Sequence, residues 1–144
     1  ALGLLVFAAA EYQRAEALYY GNPQRQYEQA PPHWLFWVDA TYGYAGTMPL
    51  NADDLPRKLA LHEEAAHLSA QPLMIRRLAL LTALDGRDAD AFALLRPLHW
   101  YYLDTPDADA KVLRDACAAL PASQRPQRFC AAVDQWSSTV PLPR

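Results

Sequence analysis

The segment nearest to a reactive centre is His62-Glu63-Glu64-Ala65-Ala66-His67, because zinc enzymes set two histidines around a glutamate on one helix. The spacing argues against a metal. Ligand histidines stand at i and i+4, whereas these stand at i and i+5, about 140° apart around a helix. A partly buried His62 and an exposed His67 are the expectation, and neither is a metal ligand. The carboxylates Asp53-Asp54, Glu63-Glu64 and Asp88 with Asp90 read as helix caps, first-turn charges and solvated faces rather than as an acid/base pair. Asp53 or Asp54 is expected to cap one helix and Asp88 another. No glycine-rich phosphate loop, nucleophile elbow or Cys-x-x-Cys pair is present, so no catalytic residue and no cofactor is expected.

What remains are residues suited to binding. His33-Trp34 and His99-Trp100-Tyr101-Tyr102 offer aromatic faces for a sugar or peptide, although core packing accounts for most such residues. Arg76-Arg77 is the one adjacent arginine pair, and it lies in an otherwise apolar run. One of the two must meet solvent or a carboxylate, and an internal ion pair is the default. Arg76, Arg77, Trp34 and Trp100 are therefore the candidate interaction residues. Cys117 and Cys130 fall in short helix-like segments joined by a connection containing Pro121 and Pro126. An antiparallel helix pair would bring the thiols level, so a single disulfide and two reduced buried cysteines are both open readings.

The elements that position these residues are helical. The chain is rich in Ala and Leu with one Ile and five Val, a composition that favours helices over strands. Thirteen basic against sixteen acidic residues leave no cationic surplus for a phosphate backbone, so nucleic acid is not an expected partner. Period and punctuation give about seven helices. A first helix runs to about Tyr20 and stops at Gly21-Asn22-Pro23; a polar stretch, Gln24 to Gln29, follows. An aromatic helix begins at His33 and fades at Gly43 and Gly46. Further helices run to about Leu68, from Leu73 to Leu84, from Asp88 until Pro97 ends or kinks it, and near 108–120 and 124–136. Leu55, Leu59, His62 and Ala66 form one stripe, and Ala91, Leu95, Leu98 and Tyr102 another. Short helices with tight turns between about Leu55 and Tyr102 suggest tetratricopeptide-like antiparallel hairpins, without a full second copy at a fixed period. The fold class is all-α.

The N-terminus, Ala-Leu-Gly-Leu-Leu-Val-Phe-Ala-Ala-Ala, is apolar and uncharged up to Glu11. Ten residues cannot cross a bilayer, and no basic region marks a signal peptide. It is either a buried first helix or the trimmed end of a membrane helix. Residues 1–20 are set apart as this N-terminal helix, membrane-proximal in the second of these readings, and 21–144 as a soluble helical domain.

The stretch Pro72-Leu73-Met74-Ile75-Arg76-Arg77-Leu78-Ala79-Leu80-Leu81-Thr82-Ala83-Leu84-Asp85-Gly86-Arg87, followed by Ala89, Ala91, Leu94 and Leu95, resembles a known block. It is similar to the C-terminal domain of bacterial Wzy-type membrane-bound polymerases, O-antigen ligases and pilin O-oligosaccharyltransferases, where a Pro-x-x-Ile-Arg-Arg-Leu-Ala helix precedes Ala-Leu-x-Gly-Arg. Tyr12, Arg14 and Tyr19, the aromatic segment at Trp34 to Val38 and the loop at Asn51 agree with it. The resemblance is clear over Leu55 to Leu98 and absent after about Asp104. It implies a periplasmic domain of a bacterial inner-membrane protein whose parent transfers a lipid-linked glycan to a pilin-like protein or to lipid A core. The catalytic His and Arg of such enzymes lie in loops between transmembrane helices, so this domain would be non-catalytic. It would contact acceptor protein, lipid-linked glycan donor or its own membrane domain. Periplasmic residence would favour the Cys117 to Cys130 disulfide. The alternative is a free-standing tetratricopeptide-like adaptor for protein partners.

Overall fold

The computed structural model describes residues 3–10, 22–29, 37–69, 71–98, 106–137 and 139–143. Among the described residues, 3–10 are helical and seven further helices follow: α1 Pro23–Gln29, α2 Trp37–Thr47, α3 Leu55–Leu68, α4 Pro72–Leu84, α5 Asp88–Leu95, α6 Pro106–Ala119 and α7 Gln127–Gln135. The described residues contain no strand, and the fold is all-α. Contacts divide the chain into two compact units, 1–69 and 70–144.

In the first unit the polar stretch after Asn22 is helical. Pro23 opens α1 with a preset φ, and the Asn22 side-chain oxygen accepts the Arg25 N–H at 3.1 Å. Gln24 then donates to Glu28 one turn on, at 2.8 Å. The aromatic helix also differs from expectation, because α2 runs through Gly43 and Gly46 to Thr47. Burial overrides glycine's weak propensity here: Thr41, Tyr44 and Ala45 lie inside, and Tyr44 and Ala45 pack with Leu61 of α3 against Tyr27 and Met48. At the start of α3 Asp54 holds the N-cap position, as expected, but its side chain makes no capping hydrogen bond. Asn51 instead accepts the Asp54 N–H at 2.8 Å and donates its amide to the Asp54 carboxylate at 2.9 Å.

The second unit begins at Gln71, held extended before Pro72, which occupies the first turn of α4. The helix closes where Asp85-Gly86 signals a stop. The Gly86 N–H returns to the Ala83 carbonyl at 3.0 Å and the Arg87 N–H to the Thr82 carbonyl at 3.1 Å. This is a Schellman closure, which needs the left-handed φ of +81° that Gly86 supplies. Asp88 does not cap α5; Arg87 holds that position, and Asp88 and Asp90 lie in the first turn beside the positive helix end. The helix stops at Leu95, before Pro97. Ala79, Ala83, Ala91, Phe92, Leu95, Leu98, Ala110 and Leu113 form a core that α7 and the tail complete with Phe129, Val133, Trp136 and Leu142. Phe129 stacks on Phe92, ring centres 5.7 Å apart. α4 is not covered on all sides: Leu73 and Arg77 are exposed.

Candidate functional site

The arginine pair divides as its neighbouring positions on a helix require. Arg76 and Arg77 point about 100° apart. Arg76 turns toward the core, where its guanidinium Nη1 donates to the Asp109 carboxylate of α6. The Arg76 side chain is 15% exposed and that of Asp109 only 2%. Two charges so far from water persist together because each offsets the other's lost hydration. Arg77 faces solvent. Of the four candidate interaction residues, the structure thus gives Arg76 an internal partner and leaves Arg77 on the surface. Trp34 and Trp100 lie outside the described residues, as does Tyr102 of the second stripe.

Asp109 escapes a reading by charge alone, since an acid near a helix start is ordinarily a dipole partner. The available signal is its register. Asp109 stands one turn before Leu113, on the stripe that carries Ala110, Leu113 and Cys117 into the core, where a lone carboxylate requires a cation.

His62 is fully buried rather than partly so, with 1% exposure, while His67 is exposed. Its Nδ1 lies 2.8 Å from the Lys58 carbonyl, which can only accept, so Nδ1 carries the proton. The Tyr42 ring meets the imidazole edge-on at 5.4 Å. Lys58, on the same helix, buries its stem and donates Nζ to the Met48 carbonyl at 2.7 Å, fastening the preceding loop to α3. On the neighbouring helices Tyr27 stacks on Tyr44 with ring centres 5.0 Å apart, and the Arg57 guanidinium lies 5.5 Å from the Tyr44 ring centre. Burial, and after it the Glu64 carboxylate, raises the Tyr27 pKa above its ordinary 10.0; Arg57 opposes this and Tyr44 adds to it. Among the described residues no three of His, Cys, Asp and Glu are grouped as a metal would need.

Cys117 and Cys130 are joined as a disulfide, with Cα atoms 5.9 Å apart across 13 residues of sequence. At the other end of the chain, every residue of the helical segment 3–10 is exposed, and Leu4, Leu5, Val6 and Phe7 are 63–79% exposed. A helix this short has little stability alone in water, and one that is apolar all round belongs in an apolar surrounding.

These features meet in a comparison with protein families. The family described as "Virulence factor membrane-bound polymerase, C-terminal" matches residues 1–116. The chain belongs to this family. No curated protein matches the chain, and no solved structure does. The match reaches well beyond Leu55 to Leu98: it takes in the apolar N-terminus, the whole first unit and most of α6, and runs past Asp104. Membership makes the chain a domain of a membrane-bound polymerase. No helix among the described residues is itself long and apolar enough to cross a membrane. The family match closes immediately before Cys117, so the disulfide, α7 and the tail lie outside the matched region.

Proposed function

We infer that this chain is the periplasmic, non-catalytic domain of a bacterial inner-membrane glycan ligase or protein O-oligosaccharyltransferase. In this reading residues 1–20 are membrane-proximal, and the helical remainder contacts a pilin-like acceptor, a lipid-linked glycan or the enzyme's own membrane domain. Its short helices joined by tight turns serve as tetratricopeptide-like hairpins, a form suited to holding a partner rather than to bond making. Arg77 and Leu73, exposed on one face of α4 one turn apart, are the described residues best placed to meet that partner.

The observation that carries the membrane-proximal part of the reading is the helical segment 3–10. Its apolar side chains gain nothing from the rest of the unit, whereas transfer into hydrocarbon is worth about 1.5–3 kcal/mol for each Leu, Val or Phe fully buried. Membership in a membrane polymerase family supports a membrane as that surrounding. The test is flotation of the full chain with vesicles of phosphatidylethanolamine and phosphatidylglycerol. The native chain rises with the vesicles, and a variant with Leu4→Gln, Leu5→Gln, Val6→Gln and Phe7→Gln stays behind. If the two behave alike, the membrane-proximal reading fails and the free-standing adaptor is the better account.

A further inference from the structure

The C-terminal arm, 120–143, is fastened to the second unit at several separate points. Arg125 Nη2 donates to the carbonyls of Ala118 and Leu120, at 3.3 and 3.1 Å, closing the end of α6. Arg114 reaches from α6 toward the Val133 and Trp136 carbonyls at the end of α7, at 3.5 and 3.4 Å. Arg96 donates to the Pro143 carbonyl at 2.7 Å, next to Leu142 in the core. The disulfide belongs to this arrangement and is buried in it: Cys117 is 3% exposed and Cys130 5%, in the same core cluster as Phe129 and Val133 of α7.

We propose that the Cys117–Cys130 bond is a strap made before α7 docks and then sealed by the docking, so that the arm closes only where an external disulfide oxidant is present. Thiol–disulfide exchange needs a thiolate to approach a sulfur atom in line. Both cysteines are buried once α7 is docked, so neither sulfur offers that approach. Closure therefore starts from an arm still loose. One cysteine thiolate attacks an external disulfide, of a protein dithiol oxidase or of glutathione, forming a mixed disulfide and expelling one thiolate. The second cysteine thiolate attacks the protein-bound sulfur and expels the other. The two cysteines lose two electrons and two protons, and the oxidant leaves as its reduced dithiol or as two thiols. The exposed connection 121–124 gives the arm the slack to bring α7 in afterwards. This inference does not rest on the membrane reading, because every residue it uses belongs to the second unit.

Two measurements on the full chain test it. In the first, dithiothreitol is added to the oxidised protein in buffer and in concentrated urea, and released thiols are counted over time. A sealed bond is reduced on the order of 100-fold more slowly in buffer, because reduction waits for local opening. Rates within a few-fold of each other overturn the proposal. In the second, the unfolded reduced chain is diluted with or without glutathione disulfide and treated with a protease. With the oxidant, the 121–126 connection resists cleavage; without it, and in Cys117→Ala/Cys130→Ala, cleavage there is about tenfold faster. Equal resistance in all three samples shows that the arm closes without the bond and equally overturns the proposal.

Discussion

The buried pair of Arg76 and Asp109 yields the sharpest energetic prediction, because its two members are buried to different depths. Asp109 is 2% exposed, so replacing Arg76 leaves a buried carboxylate without its cation. Removal of one partner of such a pair costs about 3–5 kcal/mol. Arg76 is 15% exposed and sits on a flexible stem, so in the absence of Asp109 its guanidinium can swing toward solvent. Asp109→Leu should therefore cost less, about 1–2 kcal/mol. The double variant Arg76→Met/Asp109→Leu removes both charges and should lie within ~1 kcal/mol of the native protein. A unit of this length holds about 4–11 kcal/mol in all, so Arg76→Met alone takes a large part of it. The assay is urea unfolding followed by circular dichroism, with the disulfide intact. The expected order is Arg76→Met least stable, then Asp109→Leu, then the double variant, with a coupling of at least about 2 kcal/mol. Additive single effects, or an Asp109 variant weaker than the Arg76 variant, would refute the argument from unequal burial.

Other expectations follow from the same geometry. Gly86→Ala should cost about 1–2 kcal/mol through its left-handed φ alone, since nothing lies within 4 Å of an added methyl group, and Gly86→Asn should cost less; equal urea midpoints would dismiss the Schellman closure. Asn51→Ala should cost about 1 kcal/mol, while Asp53→Ala should change the thermal midpoint little, and the reverse order would restore aspartate as the cap. The raised Tyr27 pKa means that the folded state binds the phenolic proton more tightly than the unfolded state. Its contribution to stability is complete below pH 10 and is lost as pH rises through the folded pKa. Tyr27→Phe should remove from the alkaline absorbance titration a phenol that ionises above pH 10 and flatten the loss of stability above that pH; an unchanged high-pH limb would refute the assignment.

Local signals carried the elements whose ends depend on one or two residues. Pro72 and Asp85-Gly86 bound α4 because proline presets the first turn and glycine alone takes the closing φ without strain. The Ala91, Leu95 and Leu98 stripe was legible for a similar reason: helical period needs no partner to be seen. Distant partners left no such trace. Gly43 and Gly46 look like helix ends until Leu61 of α3 covers Tyr44 and Ala45, a contact made 16 or more residues along the chain. Asn51 competed with Asp53 and Asp54 for one cap, and propensities that close do not choose among three neighbours. The Arg76 partner lay 33 residues away, and the arginines that grip the ends of α6, α7 and the tail act on carbonyl oxygens, which every residue has. Trp34 and Trp100, chosen for their aromatic faces, fall outside the described residues.

The proposed site of action and the proposed strap make separate demands, and both concern the compartment. An apolar helical segment such as 3–10 needs a membrane or another apolar partner, and this demand says nothing about which side of the membrane the domain occupies. The buried disulfide says nothing about membranes, but it requires an oxidant, which the cytosol of most bacteria does not sustain and the periplasm does. One feature lies within the region shared with the polymerase family and the other begins just after it. They also fail separately: vesicle flotation tests the first without touching a cysteine, and reduction kinetics test the second without a lipid. A chain that floats and whose bond resists reduction would satisfy both demands only on the periplasmic face of an inner membrane. A chain that floats but closes its arm without oxidant would remain a membrane-bound domain with its side undecided by chemistry. The strap, rather than the apolar segment, therefore bears the argument for the periplasm.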